Sequence, residues 1–186
     1  MTATHSSYKT ENQIIADCVS LANTALEYFG VDGWKVRQLR QLYKVNVIEP
    51  TIFVSVISYN QLGRQYVKRT LSDEVITRSN SEKHEVKIRF SALHRELDSD
   101  TTDTLSGVDV LKYIRSYMQS ADGIAGLSGL GCVQYRAGTI GSQDFMNDGD
   151  NFQILPFFDV ILLYTDVWAV DIDKITKVVQ KDIYKI

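Results

Sequence analysis

Two long apolar runs dominate the chain, and the polar positions around them say what packs where. Thr51 to Arg64 (TIFVSVISYNQLGR) carries Ile52, Phe53, Val54, Val56, Ile57 and Tyr59, interrupted only by Ser55 and Ser58. β-Branched and aromatic residues facing both ways predict a central strand buried on both sides. Pro50 marks its start, where a proline removes no needed ladder bond, and Gly63 supplies the backbone freedom for its exit at Gln61–Arg64. Ile154 to Trp168 (ILPFFDVILLYTDVW) is a second run of the same kind, expected in the same sheet. Lys83 to Arg95 alternates cleanly, with Val86, Ile88, Phe90 and Ala92 on one side and Lys87, Arg89 and Ser91 on the other. That is the pattern of a half-exposed strand. Gln65 to Arg78 alternates weakly, and Ser79 to Glu82 predicts a turn. Together these segments predict a long antiparallel hairpin over residues 65–95, extending beyond the body.

Helical spacing appears twice. Thr10 with Gln13 three residues on forms a capping box, and Ile14, Cys18, Val19, Ala22, Ala25, Leu26 and Phe29 follow on one stripe until Gly30 and Gly33. Ser106 caps a second helix to Ala121, its stripe being Val110, Ile114, Tyr117 and Ala121, widened by Leu111 and Met118, with Gly123 at its end. Trp34 to Val47 suits an exposed strand, although Leu39 and Leu42 also fit a helix. Gly126–Gly131 predicts a flexible connector, Cys132–Ala137 a short strand, and Gly138–Asn151 a polar excursion with a turn at Asp148-Gly149. Asp98–Asp103 reads as a loop, and the segment holding Ile172, Ile175, Val178 and Val179 stays open between strand and short helix. The expected fold is a single α+β domain over 1–186, with two main helices on a mostly antiparallel sheet and a flexible stretch at 1–9. Phe53, Val56, Phe90, Phe158 and Leu162 are the expected core.

Composition narrows the classes. With 186 residues, 44 % hydrophobic, and only two prolines, the chain is long enough for a real core and poor in disorder-promoting residues. Met1–Thr10 lacks the apolar stretch of a signal peptide and no run reaches membrane-spanning length, so a cytoplasmic origin is expected. The net charge of −3 argues against a general nucleic-acid binder. Its distribution is uneven. Residues 34–95 hold 12 Lys/Arg against 5 Asp/Glu, whereas the remainder holds 8 against 18. A split of this kind is either a solvated surface or the two unlike faces of a head-to-tail assembly.

Candidate chemistry is sparse. Gly126–Gly131 (GLSGLG) is no dinucleotide or phosphate loop, and Leu130 stands where a nucleophile elbow needs glycine. Asp144, Asn147, Asp148 and Asp150 crowd one loop, but Met146 and Gly149 break the alternation of a calcium site and no glutamate follows. His84 and His94 share a strand face without partners to complete a metal set. Cys18 and Cys132 have no redox or metal spacing and read as small buried side chains. No catalytic residue, metal or cofactor is expected.

Several short stretches nonetheless stand in a familiar order. Trp34-Lys35-Val36-Arg37, Pro50, Ile52–Ser58 and Gln61-Leu62-Gly63-Arg64 come first, then His84-Glu85-Val86 and Phe90-Ser91-Ala92. Asp109, Leu111 and Tyr113 follow, and Phe158-Asp159-Val160 ends the series. In order and spacing, over residues 9–180, they resemble the neck or tail-terminator proteins of tailed bacteriophages, especially the LIC_12616-like phage neck terminator family. Leu155-Pro156 departs from the pattern, standing where such proteins often carry a basic residue before the Phe-Asp pair. The resemblance implies a tail-terminator-like fold and a non-enzymatic virion component. Such a protein forms a homo-hexameric ring at the top of the tail, stops tail polymerisation and joins tail tube or sheath to the head-side connector. Genome DNA passes through such a ring without sequence-specific binding, and no membrane is involved. Arg64, Lys68, Arg69, Lys87 and Arg89, with Asp144, Asp148 and Asp150 as acidic counterparts, are the expected subunit or tail interface. Two other readings stand beside it. A tail-tube or baseplate subunit would stack indefinitely, and a small-ligand-processing enzyme built on the Gly126–Gly131 and Asp144–Asp150 loops would be a monomer or dimer with a pocket.

Overall fold

β4 (Val75–Leu93) and β7 (Phe152–Asp173) form the spine of the molecule. They pair antiparallel without a break from Val75↔Asp173 to Ser91↔Phe157. The structure is a computed structural model that describes residues 3–7, 9–39, 49–72, 75–93, 105–146 and 152–173. β3 (Thr51–Ser72) runs along the other side of β4, and β2 (Lys35–Gln38) adds in parallel to its first residues. The far side of β7 takes three short antiparallel strands in succession: β6 (Gly141–Met146), β5 (Cys132–Ala137) and β1 (Ala3–Ser7). With helices α1 (Glu11–Tyr28), α2 (Gly107–Gln119) and α3 (Ala121–Gly129), this is an α+β fold on a mostly antiparallel sheet.

The register explains which face is buried. Val54, Phe90 and Phe158 stand level on β3, β4 and β7, so their side chains share one face, as do Val56, Ile88 and Val160. Val86, Ile88, Phe90 and Ala92 are buried on it together with Phe158, Val160 and Leu162. α1 and α2 close this face with Ile14, Cys18, Ala22, Ala25, Val110, Leu111, Ile114 and Met118 in one core cluster. Phe90 and Phe158 stack at its centre, ring centroids 5.0 Å apart and 10° from parallel. The opposite face carries Phe53, Lys87, Arg89, Phe157, Asp159, Ile161 and Leu163, all half-buried.

Both helix starts follow from capping chemistry. Thr10 accepts from the Gln13 amide while the Gln13 side chain accepts from the Thr10 amide, satisfying two otherwise orphaned donors. Ser106 accepts from the Asp109 amide in the same way. Gly30 and Gly33, at φ 63° and 80°, follow the α1 C-cap.

Several expectations change. Thr51–Arg64 is not the central strand, because β4 and β7 occupy the middle and β3 lies outside them. Of its apolar residues, Ile52 and Val54 are fully buried and Val56 packs half-buried beside them, while Phe53 is half-buried on the other face and Ile57 is exposed, so Phe53 and Val56 are not fully buried core residues. Nor does β3 end at Arg64. Gly63, at φ 75°, sits in a bulge where Gly63, Arg64 and Gln65 oppose Glu82 alone, and pairing resumes at Tyr66↔Ser81. Ser79–Glu82 is therefore strand, and the hairpin reverses between Ser72 and Val75. The glycine-rich connector is largely helix: Ser120 ends α2 and caps α3, its hydroxyl donating to the Tyr117 carbonyl and accepting from the Gly123 amide. Gly123 permits that corner, since a Cβ there would lie 2.0 Å from the Tyr117 carbonyl oxygen. Finally, Ala3–Ser7, expected to be flexible, is strand β1. The Asp98–Asp103 loop, the Asp148-Gly149 turn and the segment from Ile175 onward lie outside the described residues.

Truncating Phe90 or Phe158 to Ala should lower stability by about 3–5 kcal/mol, the usual range for a buried aromatic. Chemical denaturation of each variant measures this directly, and a midpoint unchanged by both would mean the stacked pair is not the core.

Candidate assembly interface

Beyond the helices the sheet carries on as an arm. β3 from Gln61 to Leu71 is exposed at every position and pairs with β4 up to Ser72↔Val75, while β4 continues to pair with β7 up to Val75↔Asp173. At about 3.3 Å per residue the exposed part of β3 spans roughly 35 Å. Tyr66 and Leu71 are 66 % and 65 % exposed there.

A polar and aromatic cluster roots the arm in the body. The His84 ring lies between Tyr59 and Tyr164, at centroid distances of 5.1 and 5.2 Å, and the Tyr164 hydroxyl donates to that of Tyr59 at 2.8 Å. Register places the three on one face, because His84 pairs with Tyr164 and Tyr59 with the adjacent Val86. Buried Asp166 faces His84 Nε2 at 3.3 Å and accepts from the Lys9 backbone amide at 3.2 Å. Lys9 in turn pairs with Asp17 of α1. Asp166 thus links the segment before α1 to the point where the sheet leaves the body.

The residues expected at an interface separate into groups. Arg64, Lys68 and Arg69 stand exposed on β3 in the arm, and among the described residues no ion pair uses them. Lys87 and Arg89 lie instead on the open face of the body, and both pair with Asp159. Arg89 grips it with two bonds, Nε to Oδ1 at 2.7 Å and a terminal nitrogen to Oδ2 at 3.2 Å, while Lys87 Nζ approaches to 2.9 Å. The Arg89 guanidinium also covers the Phe157 ring at 3.9 Å. Burial would raise the Asp159 carboxyl, but the hydrogen bonds and charges of Arg89 and Lys87 outweigh it and hold the group below its ordinary value. Asp144 falls in β6, level with Ile154 of β7, and Asp148 and Asp150 lie outside the described residues. His84 is the buried cluster residue just described, and His94 lies outside the described residues.

Beside Asp159 an open cleft of about 400 Å³ is lined by Lys87, Arg136, Gly138, Phe157 and Ile161 among others. Among the described residues no three His, Cys, Asp or Glu side chains come together as a metal set. Cys18 and Cys132 are free and buried, and burial foremost pushes the Cys18 thiol up to about 12, which leaves it unreactive. No described helix is long and apolar enough to cross a membrane.

Comparison with known families gives the class: a phage structural protein of gateway or connector type, at the head–tail junction. The matching family model is described as E217 gateway protein gp29 and covers residues 10–173, so the chain belongs to that family. It is a phage structural family, as the resemblance implied, but not the LIC_12616-like neck terminator family named from the short stretches. No curated protein matches the chain.

Asp159→Asn tests the open-face network. A carboxyl held below its ordinary value stabilises the fold above the unfolded-state pKa and loses that contribution as pH falls through the folded one. At neutral pH the substitution should cost about 1 kcal/mol, because partly exposed pairs are screened. The gap from the parent should close as the solution is acidified below the ordinary carboxylate value, read from denaturation midpoints across pH. A gap of constant size would assign the effect to packing instead.

Proposed function

We propose that this protein forms a closed six-fold ring at the neck of a tailed phage, where it ends tail polymerisation and joins the tail to the head-side connector. The observation that carries this reading is the arm: a projecting sheet whose β3 strand bears Arg64, Lys68 and Arg69 and has no acidic residue between Gln61 and Ser72. On its other side the arm continues into β7, whose charged residues from Phe152 to Asp173 are all Asp; Asp159 and Asp166 are engaged within the chain, and Asp171 and Asp173 fall at the arm's end. A heterologous ring presents one surface and receives a different one at every contact, so unlike charges can be matched all the way round. The charge sets register and encounter rate, and apolar groups such as Tyr66 and Leu71 supply most of the contact energy. Membership of a gateway family supports a place in the virion between head and tail. In this role the protein is not an enzyme and needs no cofactor, and DNA passes its lumen without base-specific contacts. A tail-tube subunit would use the same sheet edges, but it would stack into long tubes.

Reversing Lys68 and Arg69 together to Glu should leave the melting temperature of the monomer unchanged and reduce ring yield at least tenfold, read by mass photometry and electron microscopy of the purified protein. Normal rings from the double variant would show that the basic strand faces solvent or the lumen. Long tubes from the parent protein would favour the tube-subunit reading.

A further inference from the structure

The arm has two free edges, and the strand register relates them. Among the described residues nothing pairs with the outer edge of β3 beyond Val54, where the Leu39 amide makes the last bond to it. On the opposite side β1 pairs, among the described residues, with β7 alone, which leaves its own outer edge without a described partner. Following the ladder across the arm, Ala3 is level with Val170, Arg78 and Arg69. Thr4 is level with Ala169, Ser79 and Lys68, and His5 with Trp168, Asn80 and Val67. The two open edges therefore lie at the same height. They also run in opposite directions, since β1 numbers rise as β3 numbers fall.

These relations fit one occupant, a second copy of this chain. If copies are related by rotation about an axis near the strand direction, each β3 meets the neighbour's β1 edge antiparallel, with its ladder positions opposite. A closed ring permits no net climb from copy to copy, and edges at equal height meet that condition. Strands in closed sheets are usually tilted, which displaces the partner along the edge. β3 accommodates this, because its open edge extends from Val56 to Ser72 while β1 needs only five residues of it. Charge points the same way. β1 has no Lys, Arg, Asp or Glu and pairs with β7, a largely apolar strand whose charged residues are all Asp, whereas the β3 edge is basic. Lysine and arginine on an edge discourage indiscriminate pairing, and the uncharged β1 edge, with Asp171 just past its β7 ladder, adds no like charge against them.

We infer that, in the ring proposed above, subunits are joined by strand addition between β3 of one copy and β1 of the next, so that the arms form one continuous sheet around the lumen. This rests on the ring reading, and the test separates the two. Thr4→Cys is combined in turn with a single cysteine at each position from Leu62 to Leu71, leaving the buried Cys18 and Cys132 in place. Each full-length variant is assembled, sized by mass photometry and oxidised with copper–phenanthroline. The expected result is a ladder of linked chains on denaturing gels for one or two β3 positions, absent from either single-cysteine variant. Placing the β1 cysteine at Ala3 and then at His5, both on the regular part of β1 before its irregularity at Ser6, should shift the best β3 partner by two toward lower numbers, the signature of antiparallel pairing. Rings of normal size with no ladder at any position would overturn the strand addition while leaving the ring in place. A shift toward higher numbers would overturn the antiparallel geometry. Chains that stay monomeric under every assembly condition would overturn the ring reading itself, and the inference with it.

Discussion

Everything else in the molecule depends on the unbroken antiparallel ladder between β4 and β7. β3 shifts register twice along β4, and β5 shifts once along β7, but the β4–β7 pairing has no irregularity. A ladder of this length fixes inside and outside for every residue, because one slipped position would turn each buried side chain to the other face. Over the body, that constraint sends Val86, Ile88, Phe90, Phe158, Val160 and Leu162 under the helices. Past His84 and Tyr164 the same ladder continues to Val75↔Asp173, so the arm is held to the body by hydrogen bonds that begin in the core. The body supplies stability and the arm supplies surface.

The charges follow the same division. Where the sheet is half-buried, Lys87 and Arg89 are matched within the chain by Asp159, and the guanidinium is fixed further by Phe157. Where it projects, Arg64, Lys68 and Arg69 have no ionic partner among the described residues. Charge on the half-buried face is thus matched within the chain, whereas the charge of β3 in the arm is not. Between the two stands the Asp166 junction, which joins the start of α1, β4 and the root of the arm through Lys9 and His84. A movement of the arm relative to the helices would have to pass through it.

Much of this was legible in the sequence. The capping residues Thr10, Gln13 and Ser106 and the alternation of Val86 to Ala92 gave helix starts and the buried sheet face, because each is a local pattern with a local cause. Gly63 shows where local reading fails. A glycine after an apolar run signals an exit, yet here its positive φ serves a bulge, and pairing to a strand distant in sequence carries β3 onward. Ser79–Glu82 misled for the same reason, since turn-forming residues are held extended when flanked by partners on both sides. Ser120 with Gly123 was a third helix start concealed by the glycines after it. Of the interface set, Lys87 and Arg89 were grouped with the arm by sequence proximity, and their true partner, Asp159, was visible only as a lone acid inside an apolar strand. The phage character was recognisable from short stretches in order; the particular family was not, because each stretch alone is common.

The central claim is that the arm is a sheet extension with an open β3 edge that assembly covers. Hydrogen exchange by mass spectrometry, comparing unassembled and assembled protein, measures this most directly. The account predicts that peptides spanning Gln61–Ser72 gain protection on assembly, together with Ala3–Ser7, while β4, already bonded on both sides, changes little. Unchanged exchange in β3, with new protection confined to the open face around Phe157 and Asp159, would contradict it.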